Sequence, residues 1–231
     1  VLVPPKTKQD VWNFPVSQIR GVLKGAGKQH PGLVDELSDF VEINTLPRTI
    51  VHFYENTDQY RLFASVKWAT WFKPFAVCYK LISTKLQQLN LPISSKRTEM
   101  TYKIRAVDQT LDGRKNPRVW IRQVKENTVF VAIYSQHKTE GRTYMNIALP
   151  LPYSSMIGIL QLDAIDGSLI LSSEGESDTG IYLAAGKALF KLPLSEHFLI
   201  NETIAGILTA HHKMRIFGIP FLHIDYTINQ K

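Results

Sequence analysis

The stretch from Phe63 to Leu89, FASVKWATWFKPFAVCYKLISTKLQQL, is the most strongly patterned segment of the chain. At a helical step its large apolar side chains gather on one side, while Lys73 and Lys80 lie on the other. Pro74 cannot continue a helix undisturbed, so the pattern predicts either two helices that meet at Pro74 or one helix kinked there. The apolar side is formed by Trp68, Trp71, Phe72, Phe75, Cys78, Tyr79 and Ile82.

The segments before this stretch predict a mostly helical N-terminal portion over residues 1–95. Short helices are expected over 16–24 and 32–43, and a longer one from Asp58 to about Lys73. Residues 49–55 are rich in β-branched and aromatic side chains and predict a strand. The helix over 32–43 is indicated by the spacing of Leu33, Leu37, Phe40 and Val41.

Beyond residue 98 the apolar period changes from helical to two. Short strand-like segments follow one another, separated by turn signals such as Asp166-Gly167 and Gly218-Ile219-Pro220, with no helical segment between them. So many strands rarely stay in a flat open sheet, so a closed barrel or a strongly curved sheet is expected. The predicted fold class is α+β: residues 1–95 form a helical portion that packs on the sheet, and residues 96–231 form an antiparallel, barrel-like meander.

Composition restricts the function classes. Lys and Arg exceed Asp and Glu by 27 − 20 = 7, but no run of five basic residues exists, and Trp120 between Arg118 and Arg122 is an isolated stacking candidate. Nucleic acid is therefore not expected as a partner. The single cysteine, Cys78, excludes an intramolecular disulfide and a cysteine-based metal cluster. No stretch approaches the about 20 apolar residues of a membrane span, so a soluble or peripheral membrane protein is expected.

The catalytic motifs with a sequence signature are absent. The glycine-rich residues 21–28 lack the spacing and the Ser or Thr of a phosphate-binding loop, and no G-x-S-x-G, H-E-x-x-H or G-x-G-x-x-G motif occurs. The remaining catalytic candidates are His211, His223 and Asp225. His223 and Asp225 share one strand face, and a hairpin around residues 218–220 would bring His211 beside them. The set would suit acid–base chemistry or a metal, or it is a polar outer face with a structural task.

Two further polar features have a structural alternative. His212 shares a strand face with Leu208, Ala210 and Met214, so it is expected to face the core. Acidic residues at every second position in loop 172–180 could bind calcium, but they do not fit the EF-hand pattern. We expect no metal and no cofactor.

Three hypotheses for function follow. The first is a binding module for a hydrophobic or lipid-like ligand inside the sheet, with the aromatic helix as a gate or a contact with a membrane surface. The second is an enzyme of unknown reaction that uses the His and Asp candidates. The third is a structural or interaction domain of a larger membrane-associated protein, since the chain begins at Val1. The residues predicted to contact a ligand are Trp68, Trp71, Phe72, Phe75 and Tyr144.

Overall fold

A computed structural model describes residues 28–231, apart from 87–88, 108–114, 126, 152 and 186–187, and apart from the side chains of 82–86. The helix predicted over 16–24 and nearly all of the glycine-rich loop lie outside the described residues. The described helices are α1 (Arg48–Glu55) and α2 (Lys73–Leu86), with two short 3-10 helices over Leu37–Asp39 and Thr57–Gln59. The described strands are β1 (Tyr60–Trp68), β2 (Thr98–Ala106), β3 (Lys115–Val124), β4 (Asn127–Thr139), β5 (Arg142–Leu151), β6 (Ser154–Ile165), β7 (Ser168–Ser172), β8 (Gly180–Ala185), β9 (Ala188–Lys191), β10 (Leu194–Ile204), β11 (Ile207–Ile216) and β12 (Ile219–Gln230).

Ten of these strands form a closed antiparallel barrel. Their order around the barrel is β5-β4-β3-β2-β1-β12-β11-β10-β7-β6, and the pairing of β5 with β6 closes the ring. β8 continues the wall beside β6, and β9 is hydrogen-bonded to β8. The predicted antiparallel sheet and its barrel form are confirmed.

The predicted α+β class was wrong, because the N-terminal portion is not mainly helical. Among the described residues, strands make up about 60% and α-helices about 12%. The segment expected to be a helix from Asp58 onward is strand β1, whose side chains alternate between buried and more exposed along the strand. All nine residues of β1 pair with β12 at the far end of the chain. The division of the chain at residues 95 and 96 stays a prediction, although β1 already belongs to the barrel wall.

Two other local predictions fail for the same kind of reason. Residues 49–55 lie in helix α1 rather than in a strand, because Ile50, Phe53 and Tyr54 have the i, i+3, i+4 spacing that buries one helix face. In the predicted helix over 32–43, only Leu37–Asp39 is helical. There the backbone bonds to α1 instead, since the amides of Leu33 and Val34 both donate to the carbonyl of Tyr54.

Both ends of the barrel are covered by segments from the N-terminal half. Residues 33–54, including α1, add Leu37, Ile50 and Phe53 to the main apolar core, and thereby close one end. At the other end α2 begins with Pro74 in its first turn, as one of the two predicted arrangements had it. The start of β12 holds α2 in place, because the amide of Ala69 donates to the carbonyl of Phe221 (2.9 Å). The enclosed space between these two covers is the candidate site.

Candidate functional site

The barrel encloses a cavity of about 560 Å³. Every strand except β9 contributes lining side chains, as do α1 and α2. The lining is almost entirely aliphatic or aromatic. Most of the lining residues on a strand lie at every second position, since alternate side chains of a strand face the same side. A volume of this size lies within the range of about 300–1,000 Å³ that is typical of small-molecule sites.

The structure places three of the five predicted ligand-contacting residues in the cavity lining. Trp68, Phe72 and Phe75 line it, and the rings of Trp68 and Phe72 stack at 5.8 Å between centroids. Trp71 points outward and donates its indole N–H to the carbonyl of Pro220 (3.1 Å). Tyr144 lies in a separate apolar core of β3–β6 and β8, where its ring stacks on His137 at 5.3 Å. The structure thus divides the predicted set between the cavity, the surface and a second core.

Arg122 on β3 is a charged side chain inside this apolar space, with 8% of the residue exposed. The carbon of its guanidinium lies 4.3 Å from the ring centroid of Trp120 and 4.0 Å from that of Phe130. Burial raises the pKa of Tyr226, and the nearby guanidinium of Arg122 opposes part of that shift. Within the described part of the chain, no carboxylate oxygen lies within 4.0 Å of it to form an ion pair, and Nε has no hydrogen-bond partner.

Glu196 on β10 and His212 on β11 form the other polar part of the lining. Four strands separate β3 from β10 on either path around the ring, so Glu196 faces Arg122 across the barrel, and His212 lies on the strand next to β10. Nε2 of His212 lies 3.2 Å from Oε2 of Glu196 without the alignment of a hydrogen bond, so the contact is electrostatic. Burial lowers the pKa of His212, and Glu196 opposes only part of that shift. We call Arg122, Glu196 and His212 the interior cluster.

Residues of the surrounding strands pack closely against the interior cluster. Position 158 on β6 is glycine, and a Cβ added there would collide with Oε1 of Glu196. Phe198 covers His212, with the two rings stacked at 3.8 Å between centroids. Burial raises the pKa of Tyr134 to about 12 and also raises that of Tyr226, so both phenols keep their protons at neutral pH. The cavity therefore combines an apolar wall with a small set of polar groups in fixed positions.

The sequence analysis placed His212 toward the core, where the structure has it, but singled out neither Arg122 nor Glu196 as a site residue. A signal for both was present in the period-two pattern. Glu196 falls on the same strand face as Leu194, Phe198 and Ile200, and Arg122 falls on the face of Trp120. A charge at an inward position of a barrel strand predicts a buried polar group. That inference requires knowing which face is inward, and the barrel closure decides this.

The catalytic candidates His211, His223 and Asp225 do come together, but on the outer face of β11 and β12. Oδ1 of Asp225 lies 2.7 Å from Nδ1 of His211 and 2.6 Å from Nε2 of His223. Lys67 on β1 donates to Oδ2 at 2.8 Å. Burial alone would raise the pKa of Asp225, but the hydrogen bonds from Lys67 and the two histidines outweigh it and hold the pKa well below its usual range. We call these four residues the outer cluster.

The position and the hydrogen bonds of the outer cluster argue against a role in catalysis or in metal binding. None of its side chains lines the cavity. Three ligand atoms of His211, His223 and Asp225 lie within 4.8 Å of one another, a set of types that zinc accepts. The ammonium of Lys67, however, already neutralises the carboxylate that a cation would need. The geometry is that of a solvated, internally satisfied hydrogen-bond network.

The acidic loop considered for calcium is organised differently. Asp178 is fully buried, and its Oδ2 lies 3.0 Å from Nε2 of His137, whose Nδ1 is 2.9 Å from Oδ1 of Asn146. Glu174 faces outward and pairs with Arg215 at 3.3 Å. These two carboxylates have separate partners, and Asp178 fastens the loop to the barrel wall.

Comparison with known proteins adds one relative. No protein-family model matches the chain. The chain is 40% identical over 209 residues to a protein of Bacillus subtilis (strain 168) named "Uncharacterized membrane protein YndJ". The similarity covers 87% of this chain and 38% of the Bacillus protein, so the chain spans well under half of that relative's length. Across the residues with described structure, no helix has both the length and the apolar character needed to cross a membrane.

Proposed function

We propose that the barrel is a binding module for a hydrophobic small molecule or a lipid-like ligand held in its interior, with α2 as the cover over one end. The observation that carries the proposal is the cavity of about 560 Å³ with its almost wholly apolar lining. Each methylene group moved from water into such a space stabilises a complex by about 0.8 kcal/mol. The favourable partner for this cavity is therefore a molecule with an extended apolar part.

The position of α2 supports an entry route for that ligand. Phe75, Ala76 and Tyr79 of α2 line the cavity from one side. The barrel wall is continuously hydrogen-bonded, whereas α2 is held, as far as its residues are described, by contacts around its first turn and by the hydrogen bonds of Lys80 to the carbonyls of Asn90 and Leu91. Displacing α2 breaks no strand pairing, so this end is the one at which a ligand enters at the smallest loss of stability.

The proposal is tested by asking whether the purified chain carries or takes up an apolar molecule. Organic extraction followed by mass spectrometry detects a ligand that copurifies, and the neutral fluorophore N-phenyl-1-naphthylamine reports uptake. Met214→Trp places a larger side chain in the lining, and Lys213→Trp is the matched control, because Lys213 is the neighbouring outward-facing residue on the same strand.

We expect the fluorophore to bind to the unmodified chain and to the Lys213→Trp control, and to bind at least about tenfold more weakly to Met214→Trp, a loss of about 1.4 kcal/mol. Equal binding to both variants would place the fluorophore outside the cavity. No bound molecule in the extract together with no uptake of the fluorophore would refute the binding function.

The second part of the proposal is that the α2 end of the barrel rests on a membrane surface. Large exposed apolar side chains are concentrated there: Phe75 is 65% exposed, Leu81 75% and Phe217 77%. Phe217 belongs to this end because it joins β11 to β12, whose first residues hold α2. Trp71, Val77 and Ile219 add to the same surface, and the cationic Lys73 lies in the first turn of α2. Aromatic and aliphatic side chains beside a lysine fit the headgroup region of a bilayer.

Vesicle flotation tests the membrane contact. The change is Phe75→Ser with Leu81→Ser at the α2 end, and the matched control is Ile165→Ser with Ile204→Ser, two exposed apolar residues at the opposite turns of the barrel. With vesicles of phosphatidylcholine and phosphatidylglycerol, we expect the α2 pair to lose flotation and the control pair to keep it. Equal flotation of both double variants would exclude α2 as the contact. The Bacillus relative is called a membrane protein, which agrees with this expectation.

A further inference from the structure

We infer that the ligand is a single-chain amphiphile with a carboxylate headgroup, and that Arg122 and Trp120 bind this headgroup inside the cavity. The inference rests on the proposed binding function and deepens it by naming the class of ligand. It is carried by two buried hydrogen-bond donors, side by side in an otherwise apolar space, that have no partner within the described protein.

The first donor belongs to Arg122. Its guanidinium carries a full charge in a space lined by apolar side chains and has no carboxylate at ion-pair distance among the described residues. An arginine keeps its proton under all ordinary conditions, so it cannot escape burial by becoming neutral. Contacts with Trp120 and Phe130 hold its plane in place, and Nε is left without a partner. A fixed and uncompensated buried cation is a binding element for an anion.

The second donor is the indole N–H of Trp120, which is also buried without a partner. Buried tryptophan nitrogens usually find an acceptor, so this one calls for an explanation. The guanidinium of Arg122 lies against the same indole ring. A carboxylate offers two oxygens in one plane, so it can accept from the guanidinium and from the indole together.

The rest of the lining argues against a cationic headgroup. Glu196 is the one acidic side chain among the described residues that line the cavity. One of its oxygens lies beside His212, and the other fills the space left open by Gly158. Glu196 is therefore already surrounded by the protein, whereas the donors of Arg122 and Trp120 are not.

The apolar part of the lining suits a single chain attached to that headgroup. From Arg122 and Trp120 the lining continues toward α2 through Val129, Phe221 and Phe72, all apolar. A ligand that enters under α2 with its headgroup first would place its chain against these side chains. The chain would then lie at the end of the barrel that we propose to face the membrane.

The test is a displacement assay with three molecules that share one alkyl chain and differ in the headgroup. Dodecanoate, dodecanol and dodecylammonium compete for N-phenyl-1-naphthylamine bound to the full chain at neutral pH. We expect dodecanoate to displace the fluorophore at a concentration at least about tenfold below that of dodecanol, and dodecylammonium to be the weakest. Equal displacement by acid and alcohol, or a preference for the ammonium, would overturn the headgroup assignment and leave the binding function intact. A chain that neither binds the fluorophore nor carries an extractable apolar molecule refutes the function itself.

Two variants assign the preference to the named donors. Trp120→Phe keeps an aromatic ring and removes only the N–H, so we expect about tenfold weaker binding of dodecanoate and unchanged binding of dodecanol. Arg122→Gln should abolish the preference for the acid, and Lys67→Gln, which removes a cation from the outer face of the barrel, should leave it unchanged.

A third variant should have the opposite effect on the affinity for dodecanoate. Glu196→Gln removes the negative charge that shares the cavity with the headgroup, so we expect it to strengthen the binding of dodecanoate. Circular dichroism verifies that each variant is folded. If Trp120→Phe and a folded Arg122→Gln both keep the full preference for dodecanoate, the headgroup does not bind at these residues.

Discussion

The interior and outer clusters each combine a cationic side chain, a carboxylate and histidine on opposite faces of the barrel wall, yet they differ in how well their polar atoms are satisfied. His211 and His212 are neighbours in sequence and point to opposite sides of the barrel wall. Outside, both oxygens of Asp225 have partners, and the group is open to water. Inside, Arg122 and His212 keep nitrogens without hydrogen-bond partners. Composition alone therefore does not mark a site, whereas the polar atoms that the fold leaves without partners do.

The physical origin of the difference is the surrounding medium. Water screens the outer charges, so their mutual attraction contributes about 0–1 kcal/mol. In the cavity the charged side chains are shielded from water, so each has to be stabilised by protein groups or by a ligand.

The largest difference between the two clusters is expected in the free energy of unfolding when the carboxylate of each is removed. Glu196→Ala leaves the described cavity lining with the buried cation of Arg122 and no negative charge at all, and we expect the free energy of unfolding to fall by about 3 kcal/mol or more. Asp225→Ala should lower it by about 1 kcal/mol or less. Urea unfolding at neutral pH measures both changes. Losses of similar size would mean that the interior cluster is as well hydrated as the outer one.

The dependence of stability on pH should identify His212. Burial lowers its pKa in the folded chain, so below the unfolded value of about 6.5 the unfolded chain binds a proton that the folded chain does not. Stability is therefore lost as the pH falls below about 6.5, by at most about 1.4 kcal/mol per pH unit for one histidine. Burial lowers the pKa of His30 and His197 as well, and these add to the slope.

Unfolding measured in urea from pH 7.5 to pH 5 checks this expectation. We expect His212→Gln to flatten the dependence and His211→Gln to leave it unchanged. The reverse result would place the neutral, desolvated histidine on the outer face.

Ligand binding should change the protonation of only one of the two neighbouring histidines. A carboxylate headgroup near Arg122 adds negative charge to the cavity, which favours a proton on His212 beside Glu196. Followed by nuclear magnetic resonance, the pKa of His212 should rise by about one unit with dodecanoate, equivalent to about 1.4 kcal/mol. Dodecanol should not move it, and neither ligand should move the signal of His211. A shift of His211 alone would argue for binding outside the barrel.

The smallest effect is expected from Asp225→Asn in acid. The hydrogen bonds that lower the pKa of Asp225 stabilise the folded chain above the unfolded value of about 4, and this stabilisation is lost as the pH falls further. The variant should therefore be less stable than the unmodified chain by about 1 kcal/mol or less at pH 7, and this deficit should shrink as the pH falls from about 4 to about 2. Thermal unfolding across this pH range measures the difference. A deficit as large at pH 2 as at pH 7 would require another role for Asp225.

The two histidines and the carboxylate of the outer cluster could be predicted from the sequence because their geometry is local, whereas Lys67 joins them only through the pairing of β1 with β12. A hairpin with a turn at Gly218 and strict alternation on β11 and β12 are enough to bring His211 to Asp225. The interior cluster joins β3 to β10 and β11 across the barrel, and that meeting depends on the closure between β5 and β6. Sequence periodicity gives the face of each strand but not its position around a ring, so Arg122 and Glu196 could not be paired in advance.

The wrong predictions of secondary structure in the N-terminal half have a similar cause. Residues 60–68 contain apolar side chains that fit a helical and an alternating pattern at once, and pairing with β12 decides between them. In α1 the β-branched residues favour a strand locally, but the burial of Ile50 and Phe53 at the end of the barrel favours a helix. In both segments a contact distant in sequence overrides a weak local preference.

The pairing of the first described strand with the last one sets the order of events during synthesis. Tyr60 lies opposite Gln230, so β1 cannot find its neighbour on that side until β12 has left the ribosome. Until then β1 has a free edge that can associate with other chains, and the long loop that must close makes folding slow. The container for the ligand is thus completed only after β12 has been synthesised, and a nascent chain that stops short of β12 has no enclosed interior to fill.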